Sequence, residues 1–271
     1  MKKCISCGAK LDIYGLVDGY QIYKCNKCGL GETESKTMPN YHSYHRDVTY
    51  FKESKQFENI FLKRLHIIQK FISSGRILEA GSSVGTLLSL FKDDGWEVLG
   101  VEPSKFAAEQ AVKRGIPTKK NTFEEIVLKE NSFNVVIFNH VLEHVKDPRG
   151  VLNKTCEVLK KDGLVLVDVP NFGSLSSRMW GTKWGYLYPH EHKWHFTKDS
   201  LSRLMLQSGF EITYSETRSG VWDCGDPKSE IWQSLTNFKR RFFKNLLFSI
   251  PDYIVSALGQ GSGLTVVGRK K

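Results

Sequence analysis

Two features of the sequence predict an α/β protein, with a doubly wound, mostly parallel sheet preceded by a small four-cysteine module. From about residue 73 onward, short apolar runs typical of buried strands alternate with segments of helical periodicity. Before residue 30, four cysteines form two Cys-x-x-Cys pairs. We expect residues 1–40 to form the module, residues 41–72 a connector and a helix, and residues 73–271 the main domain.

The composition is that of a globular protein. Of the 271 residues, 40% are hydrophobic and 12% aromatic, which excludes disordered and fibrous classes. No apolar run approaches the roughly 18 residues that a membrane-spanning helix needs, and Met1 leads into lysines and cysteines instead of a secretory signal, so we expect a cytoplasmic location. The net charge of +10 favours an anionic substrate or partner, or an anionic membrane surface.

The two cysteine pairs predict a structural zinc site. Cys4 and Cys7 form one pair and Cys25 and Cys28 the other, and a glycine follows each pair. Two cysteines three positions apart can direct both sulfurs at one ion, and four thiolates complete the tetrahedral shell that zinc prefers, with no open position for catalysis. Two disulfides are the alternative, which a reducing compartment disfavours.

The elements of the main domain follow in order. Apolar side chains at helical spacing between residues 57 and 71 predict a helix, and the aromatic-rich residues 41–51 before it form either a lid or interdomain packing. Ser104 and Thr197 stand where helix N-caps are expected. Predicted strands cover residues 77–79, 97–101, 134–138 and 163–169. Predicted helices cover residues 86–92, 105–114, 149–161 and 198–207.

The turn after the first predicted strand indicates a cofactor site. Gly81 and Gly85 let the backbone approach a ligand closely, and the helix that follows presents its N-terminus to negative groups. Glu102 ends the next strand, where a carboxylate can accept hydrogen bonds from ribose hydroxyls. A dinucleotide fingerprint would need glycine at Ser83 and Thr86, so the pattern predicts an adenosine-containing cofactor without specifying a dinucleotide.

This region resembles class I S-adenosylmethionine-dependent methyltransferases. Their first motif is an acidic residue followed by glycines at alternate positions, and here Ser83 stands in place of the middle glycine. Residues 98–104, 133–145 and 159–167 are similar to later segments of the family, in the same order. The resemblance implies a Rossmann-like methyltransferase fold and S-adenosylmethionine as cofactor. It also implies a closing antiparallel pair formed by residues 211–217 and 264–268.

The resemblance further implies which residues bind the cofactor. Glu79 supports the turn whose glycines hold the methionine moiety, and Glu102 binds the ribose. Thr122 lies near the adenine, and Asn139 lies with His140 beneath the reactive methyl group. The implied set is Glu79, Gly81, Ser83, Gly85, Glu102, Thr122 and Asn139.

Histidines between the fifth strand and the next helix are the candidate catalytic groups. His190, His192 and His195 lie with a glutamate within six residues, where an acceptor would enter. Methyl transfer from a sulfonium is an in-line displacement, and a base assists when the acceptor is a hydroxyl or an acidic carbon. We expect His192, and after it His195, to act as base or substrate ligand, with His140 as a third candidate. The alternative is a segment that only caps and packs.

The stretch from His140 to His144 allows a metal alternative. It matches an inverted zinc-protease pattern, but that pattern needs an uninterrupted helix and His140 follows directly on an apolar strand. It also resembles quinone-pathway O-methyltransferases, which bind a divalent ion here with two carboxylates and a histidine. This chain has Glu143 and His144, with His140 in place of the first carboxylate. We therefore expect structural roles for Glu143 and His144, with a catalytic metal as the alternative.

A basic amphipathic insertion is expected at about residues 220–262. Apolar side chains at helical spacing in residues 235–250 alternate with lysines and arginines. Such a segment is either a lid over the active site or a contact with an anionic membrane surface.

These features predict a methyltransferase that acts on a small or lipid-linked, anionic acceptor. The chain is similar to bacterial methyltransferases of sugars and surface polysaccharides, which makes a precursor of that kind the expected acceptor. One alternative is an RNA methyltransferase, although residues 1–40 hold only six Lys or Arg against four Asp or Glu. Others are a quinone or lipid O-methyltransferase and a non-enzymatic scaffold, which the intact glycine motif disfavours.

Overall fold

A computed structural model describes residues 2–34, 54–219 and 251–271 of the protein, without the side chains of residues 54–57 and 59. The aromatic-rich residues 41–51 and the amphipathic stripe of residues 235–250 lie outside these ranges.

The described strands are β1 Leu11–Val17, β2 Tyr20–Cys25, β3 Gly31–Thr33, β4 Arg76–Ala80, β5 Glu97–Val101, β6 Thr118–Lys119, β7 Phe133–Asn139, β8 Leu159–Pro170, β9 Trp194–His195, β10 Phe210–Arg218 and β11 Gly263–Lys270. The helices are α1 Ser54–Gln69, α2 Thr86–Asp93, α3 Lys105–Lys113, α4 Pro148–Val158, α5 Leu175–Trp180 and α6 Lys198–Gln207, with a 3-10 turn at Gly181–Lys183 and further helical backbone at 251–257.

The central sheet has seven strands in the order β10-β11-β8-β7-β4-β5-β6. Strands β4 to β8 are parallel, whereas β11 pairs antiparallel with both β8 and β10. Successive residues of β7 contribute alternately to two buried clusters, Val136 and Phe138 to one and Val135 and Ile137 to the other. The sheet is therefore covered on both faces, which confirms the predicted Rossmann-like fold and its closing antiparallel pair.

Helix starts follow the predicted caps. The Ser104 hydroxyl accepts a hydrogen bond from the backbone N–H of Ala107, and Thr197 forms a reciprocal capping box with Ser200. The helix expected over residues 149–161 is shorter than predicted, because its last residues belong to a strand. Asp162 has a positive φ of 61°, which helical geometry does not allow, and Leu159 already pairs with Phe133.

A second sheet joins the cysteine module to the main domain. Its strand order is β1-β2-β3-β9. The fourth strand, β9, comes from residues 186–197, here called the histidine loop, and not from the module. Cys25 and Leu30 of the module share a buried cluster with Leu201 and Leu204 of α6. Within the described ranges, no helix combines the length and the apolar character needed to cross a membrane.

Candidate active site

A cavity of about 440 Å³ opens at the carboxyl ends of β4, β5 and β7. This is the edge at which doubly wound sheets bind their ligands. The expected cofactor residues on its wall are Glu79, Gly81, Ser83, Glu102, Thr122 and Asn139. Of the three candidate catalytic histidines, His140 and His192 line the cavity, and His195 is absent from its described lining.

The loop after β4 owes its shape to residues with positive φ. Gly81, Ser83 and Gly85 have φ values of 67°, 46° and 79°. Ser83 therefore adopts a left-handed conformation in which glycine is favoured, which accounts for a glycine at that position of the family motif. A Cβ on Gly81 would lie 2.5 Å from Val141. Gly85 is the N-cap of α2 and is missing from the described cavity lining, so its contribution is conformational.

Glu102 holds this loop in place. Its Oε2 accepts a hydrogen bond from the Ser83 N–H at 2.8 Å, and its Oε1 accepts one from the Ser104 N–H, also at 2.8 Å. The side chain of Glu79 is also buried, and burial, with the nearby Glu102 charge, raises the pKa of Glu79 well above its ordinary value. Two carboxylates thus lie beneath the loop, and Glu102 is the one tied to the backbone.

His140 lies at the end of β7 between two buried carboxylates. Its φ is 54°, and its N–H donates to the Asp168 carbonyl at 2.8 Å. The Nδ1 atom lies 3.3 Å from Oε1 of Glu143, and Nε2 lies 3.8 Å from Oδ1 of Asp168. Strand β7 ends just before His140, and residues 140–144 form a bend and a turn. The uninterrupted helix that a zinc protease needs is therefore absent from these residues.

Asp168 anchors a buried charge cluster that the sequence analysis missed. Its Oδ2 lies 2.8 Å from Arg64 and 2.7 Å from Arg218, and it accepts a hydrogen bond from Thr265 at 2.7 Å. Burial alone would raise the pKa of Asp168, but Arg218 and Arg64 hold that pKa well below its usual range. Arg64 also lines the cavity. An aspartate within the apolar run of β8 was the available signal.

His192 reaches the cavity with a defined tautomer. Its Nδ1 lies 2.9 Å from the carbonyl oxygen of Tyr186, which can only accept, so Nδ1 carries the proton. Burial, with the neighbouring His144 and His195, lowers the pKa of His192 well below its ordinary value. Because the ring is neutral, Nε2 has a lone pair, as a general base requires.

His195 occupies a different environment. Its side chain is 3% exposed, and its Nε2 lies 2.8 Å from the Thr33 hydroxyl in the cysteine module. Burial lowers its pKa to about 3. The structure thus separates the two histidines that the sequence grouped, with His192 on the cavity and His195 against the module.

Glu143, His144 and His192 offer three ligand atoms within 4.8 Å of one another. His144 donates through Nδ1 to the Glu191 carbonyl at 3.0 Å, which leaves its Nε2 on the side of Glu143. Two imidazoles and a carboxylate are a donor set that suits divalent transition metals. The fold therefore brings His192 of the histidine loop next to Glu143 and His144. The spacing of these residues along the chain did not predict this grouping.

The four module cysteines also meet. Their sulfurs all lie within 4.8 Å of one another, with 3.5 Å between Cys4 and Cys28 and 3.4 Å between Cys7 and Cys25. In a tetrahedron with metal–sulfur bonds of about 2.3 Å the sulfurs would be about 3.8 Å apart. The cluster thus fits a four-thiolate metal shell.

The sheet order, the glycine loop and the carboxylate that follows β5 define a class I S-adenosylmethionine-dependent methyltransferase domain. A family model described as "Methyltransferase domain" matches residues 53–215, and the chain belongs to that family. Its matched range includes α1 through most of β10 and omits the cysteine module.

Curated relatives support the same class. The ubiquinone biosynthesis O-methyltransferase of Bradyrhizobium sp. (strain ORS 278) is 30% identical over 223 residues, which is 76% of this chain and 84% of that protein. The C-methyltransferase NovU of Streptomyces niveus is 30% identical over 141 residues, 50% of this chain but only 33% of NovU. Relatives of this domain therefore methylate both oxygen and carbon.

Solved structures share the fold. A Thermotoga maritima methyltransferase described as a possible histamine N-methyltransferase superposes with a TM-score of 0.58 at 24% identity, covering 86% of this chain and 100% of that one. The phosphoethanolamine N-methyltransferase 2 of Haemonchus contortus, in complex with S-adenosyl-L-methionine, has a TM-score of 0.59 at 17% identity, with 89% of this chain and 62% of that chain covered. At these identities the likeness concerns the fold alone.

Proposed function

We propose that the protein transfers a methyl group from S-adenosylmethionine to a small, hydroxyl-bearing acceptor, a sugar or surface-polysaccharide precursor. The observation that carries the proposal is that His192, with a proton fixed on Nδ1, lines the same cavity as the glycine loop and Glu102. One cavity thus combines a cofactor pocket with a neutral base.

A buried, unpaired oxygen in the cavity favours an acceptor molecule that donates hydrogen bonds. Oε2 of Glu143, which is not among the expected cofactor residues, has no hydrogen-bond partner among the described residues. Buried polar atoms are rarely left unpaired, so the acceptor should supply the missing donor. A sugar offers several hydroxyl donors, whereas a quinone ring offers few. This contrast favours the sugar class over the quinone alternative.

The residues divide the work of the reaction. S-adenosylmethionine, when bound, supplies an activated methyl group. Gly81 and Ser83 hold the backbone close to the cofactor, Glu102 binds the ribose, and Thr122 lies at the adenine end. His192 accepts the acceptor's proton at Nε2 and delivers none, because Nδ1–H stays bonded to Tyr186. The protein's main contribution is to align acceptor and methyl group in line.

We propose that the four cysteines bind structural zinc and that the module has no role in RNA binding. Lys2 is paired with Glu32 at 2.9 Å, and Lys10 with Asp12 at 3.3 Å. Lys24 is half-buried, with its ammonium 4.8 Å from the centre of the Phe172 ring. Three of the module's lysines are thus engaged within the protein, which leaves a weak surface for a phosphate backbone.

A divalent ion at Glu143, His144 and His192 is the second candidate arrangement. It would occupy the lone pair that the base needs, so both roles cannot be filled by His192 at once. His144→Ala separates them, because it removes one ligand of the ion and leaves both His192 and the cysteine site in place. Turnover retained in His144→Ala supports the base, and turnover lost together with one bound divalent ion per chain supports the metal.

The acceptor class can be tested with methyl-labelled S-adenosylmethionine. The purified protein is incubated in parallel with nucleotide sugars, lipid extracts and RNA, and products are followed by mass spectrometry. We expect the label, with the mass of one added CH₂, in the sugar or lipid-linked pool. Label in RNA alone would overturn the proposal.

A further inference from the structure

The cysteine module and the histidine loop form one continuous sheet. Strand β9, which is Trp194–His195, pairs antiparallel with β3, so that Gly31 lies opposite His195 and Glu32 opposite Trp194. The Thr33 N–H extends this pairing by donating to the Lys193 carbonyl at 2.9 Å. A strand of two residues is too short to be stable alone, so β9 depends on its neighbour.

Both cysteine turns also contact α6, the helix that follows the loop. The Thr197 hydroxyl donates to the carbonyl of Cys28 at 2.7 Å, at the helix N-cap. Ser6, between the first two cysteines, donates its hydroxyl to the Ser200 carbonyl at 3.0 Å. Its own carbonyl accepts from the Gln207 amide at 3.0 Å. The backbone geometry that places the four sulfurs together therefore also fixes both ends of α6.

The contact is too close to tolerate side chains on Gly29 and Gly31. A Cβ on Gly31 would lie 2.9 Å from the Cβ of His195, and one on Gly29 would lie 2.8 Å from the Thr197 methyl group. Real Cβ atoms do not approach so closely, so the module's backbone rests directly on the loop. Such packing transmits a shift of one partner to the other.

The loop is held from the opposite side by the residues of the candidate active site. The N–H groups of Lys193 and Trp194 both donate to the Glu143 carbonyl, at 2.9 and 3.0 Å. His192 therefore lies on a segment with two supports. One is the turn that carries Glu143, and the other is the edge strand of the cysteine module.

We infer that the cysteine module is a positioning element for the histidine loop. Strand β3 and Thr33 hold β9 and His195, three residues beyond His192, and so keep the His192 ring on the cavity. His195 is then a positioning residue: its Nε2 bonds to Thr33, and its ring centre lies 6.4 Å from that of His192. The role of His192 in turnover rests on the proposed function, whereas the mechanical coupling does not.

The coupling can be tested without knowledge of the acceptor. Thr33→Val keeps the side-chain shape and removes the hydroxyl that meets His195. We expect faster hydrogen–deuterium exchange in residues 186–197 and unchanged exchange in residues 76–101. Thr33→Ser should restore the wild-type exchange. The matched control is Asn26→Ala, which removes an exposed hydrogen bond to Asp12 within the module, and we expect wild-type exchange in the loop.

A second arm removes the metal instead of the hydroxyl. Chelation should raise exchange in residues 186–197 by the same amount in the full-length wild type and in His144→Ala, which lacks one ligand of the second candidate metal site, with S-adenosylhomocysteine affinity changed less than twofold. Once an acceptor is known, Thr33→Val should lower kcat about tenfold at similar KM, because a loosened base slows the chemical step without changing binding. Unchanged exchange in the loop, both in Thr33→Val and after chelation, would overturn the inference. Failure of methyl transfer alone would instead count against the proposed function.

Discussion

Replacing Glu102 tests the cofactor pocket at the carboxylate that holds the glycine loop. Each oxygen of this carboxylate accepts a backbone hydrogen bond of 2.8 Å, from Ser83 and from Ser104, and the residue lines the cavity. Glu102→Ala removes the proposed ribose ligand and the hydrogen bond that holds Ser83 of the glycine loop. Both changes should weaken cofactor binding, because the loop geometry and the ribose contact depend on the same side chain.

The magnitude follows from hydrogen bonds to a charged acceptor. Each is worth about 1.5–3 kcal/mol, so loss of one ribose bond raises Kd by about 10- to 150-fold. Two unpaired buried N–H groups cost a further ~1–3 kcal/mol each in folding stability. Glu102→Gln retains one acceptor oxygen but turns an NH₂ group toward Ser83 or Ser104. We expect its affinity to fall between those of Glu102→Ala and the wild type.

The assay is calorimetric titration with S-adenosylhomocysteine, combined with urea unfolding. Glu109→Ala is the matched control, because it removes an exposed carboxylate from the next helix, 3.9 Å from Lys105. It should leave Kd unchanged. A folded Glu102→Ala protein that binds S-adenosylhomocysteine within twofold of the wild type would refute the ribose assignment.

Three further outcomes follow from the charges in and around the cavity. His192→Ala should lower kcat by about 10²- to 10⁴-fold with unchanged cofactor Kd, whereas His190→Ala, at an exposed histidine, should leave kcat unchanged. Because the pKa of His192 is lowered, the wild-type rate should be maintained below pH 6.5 and should fall only in more acidic buffer. Since the pKa of Glu79 is raised in the folded protein, the contribution of this residue to stability is greatest below pH 4.5 and is lost as pH rises. Glu79→Gln should therefore raise Tm more at pH 8 than at pH 4. A larger increase at pH 4 would contradict the raised pKa. Because the pKa of Asp168 is lowered, the stabilisation by this carboxylate is present above pH 3.8 and is lost on acidification. Asp168→Asn should lower the free energy of unfolding in urea at pH 7 by about 3–5 kcal/mol. The control Asp199→Asn, at an exposed carboxylate, should lower it by less than about 1 kcal/mol.

Much of the sheet could be predicted because its signals are local. The apolar run of β7 and the N-caps at Ser104 and Thr197 each specify an element from neighbouring residues, and the structure has all three. The glycine loop and Glu102 followed in the same way, since their spacing reflects the turn between two adjacent parallel strands. These features need no knowledge of distant contacts.

The features that the sequence analysis missed depend on contacts between distant segments. Arg64 and Asp168 are 104 positions apart, and although Asp168 interrupts the apolar run of β8, no neighbouring residue indicates that Arg64 is its partner. The pairing of β3 with β9 joins segments about 160 residues apart. Strand β9 has only two residues, which is too few to show the alternation that predicts a strand. His192 was ranked before His195, but both were expected at the acceptor entrance because they share a loop, and the contact of His195 with Thr33 could not be read from that loop.

The most direct test of the account is titration of the wild-type protein with S-adenosylhomocysteine in a calorimeter, with NAD⁺ as the competing dinucleotide. The cavity formed by the glycine loop and Glu102 predicts saturable binding of one molecule per chain, displaced by S-adenosylmethionine and unaffected by NAD⁺. No detectable binding, or displacement by NAD⁺, would contradict the assignment of this cavity as a methyl-donor site.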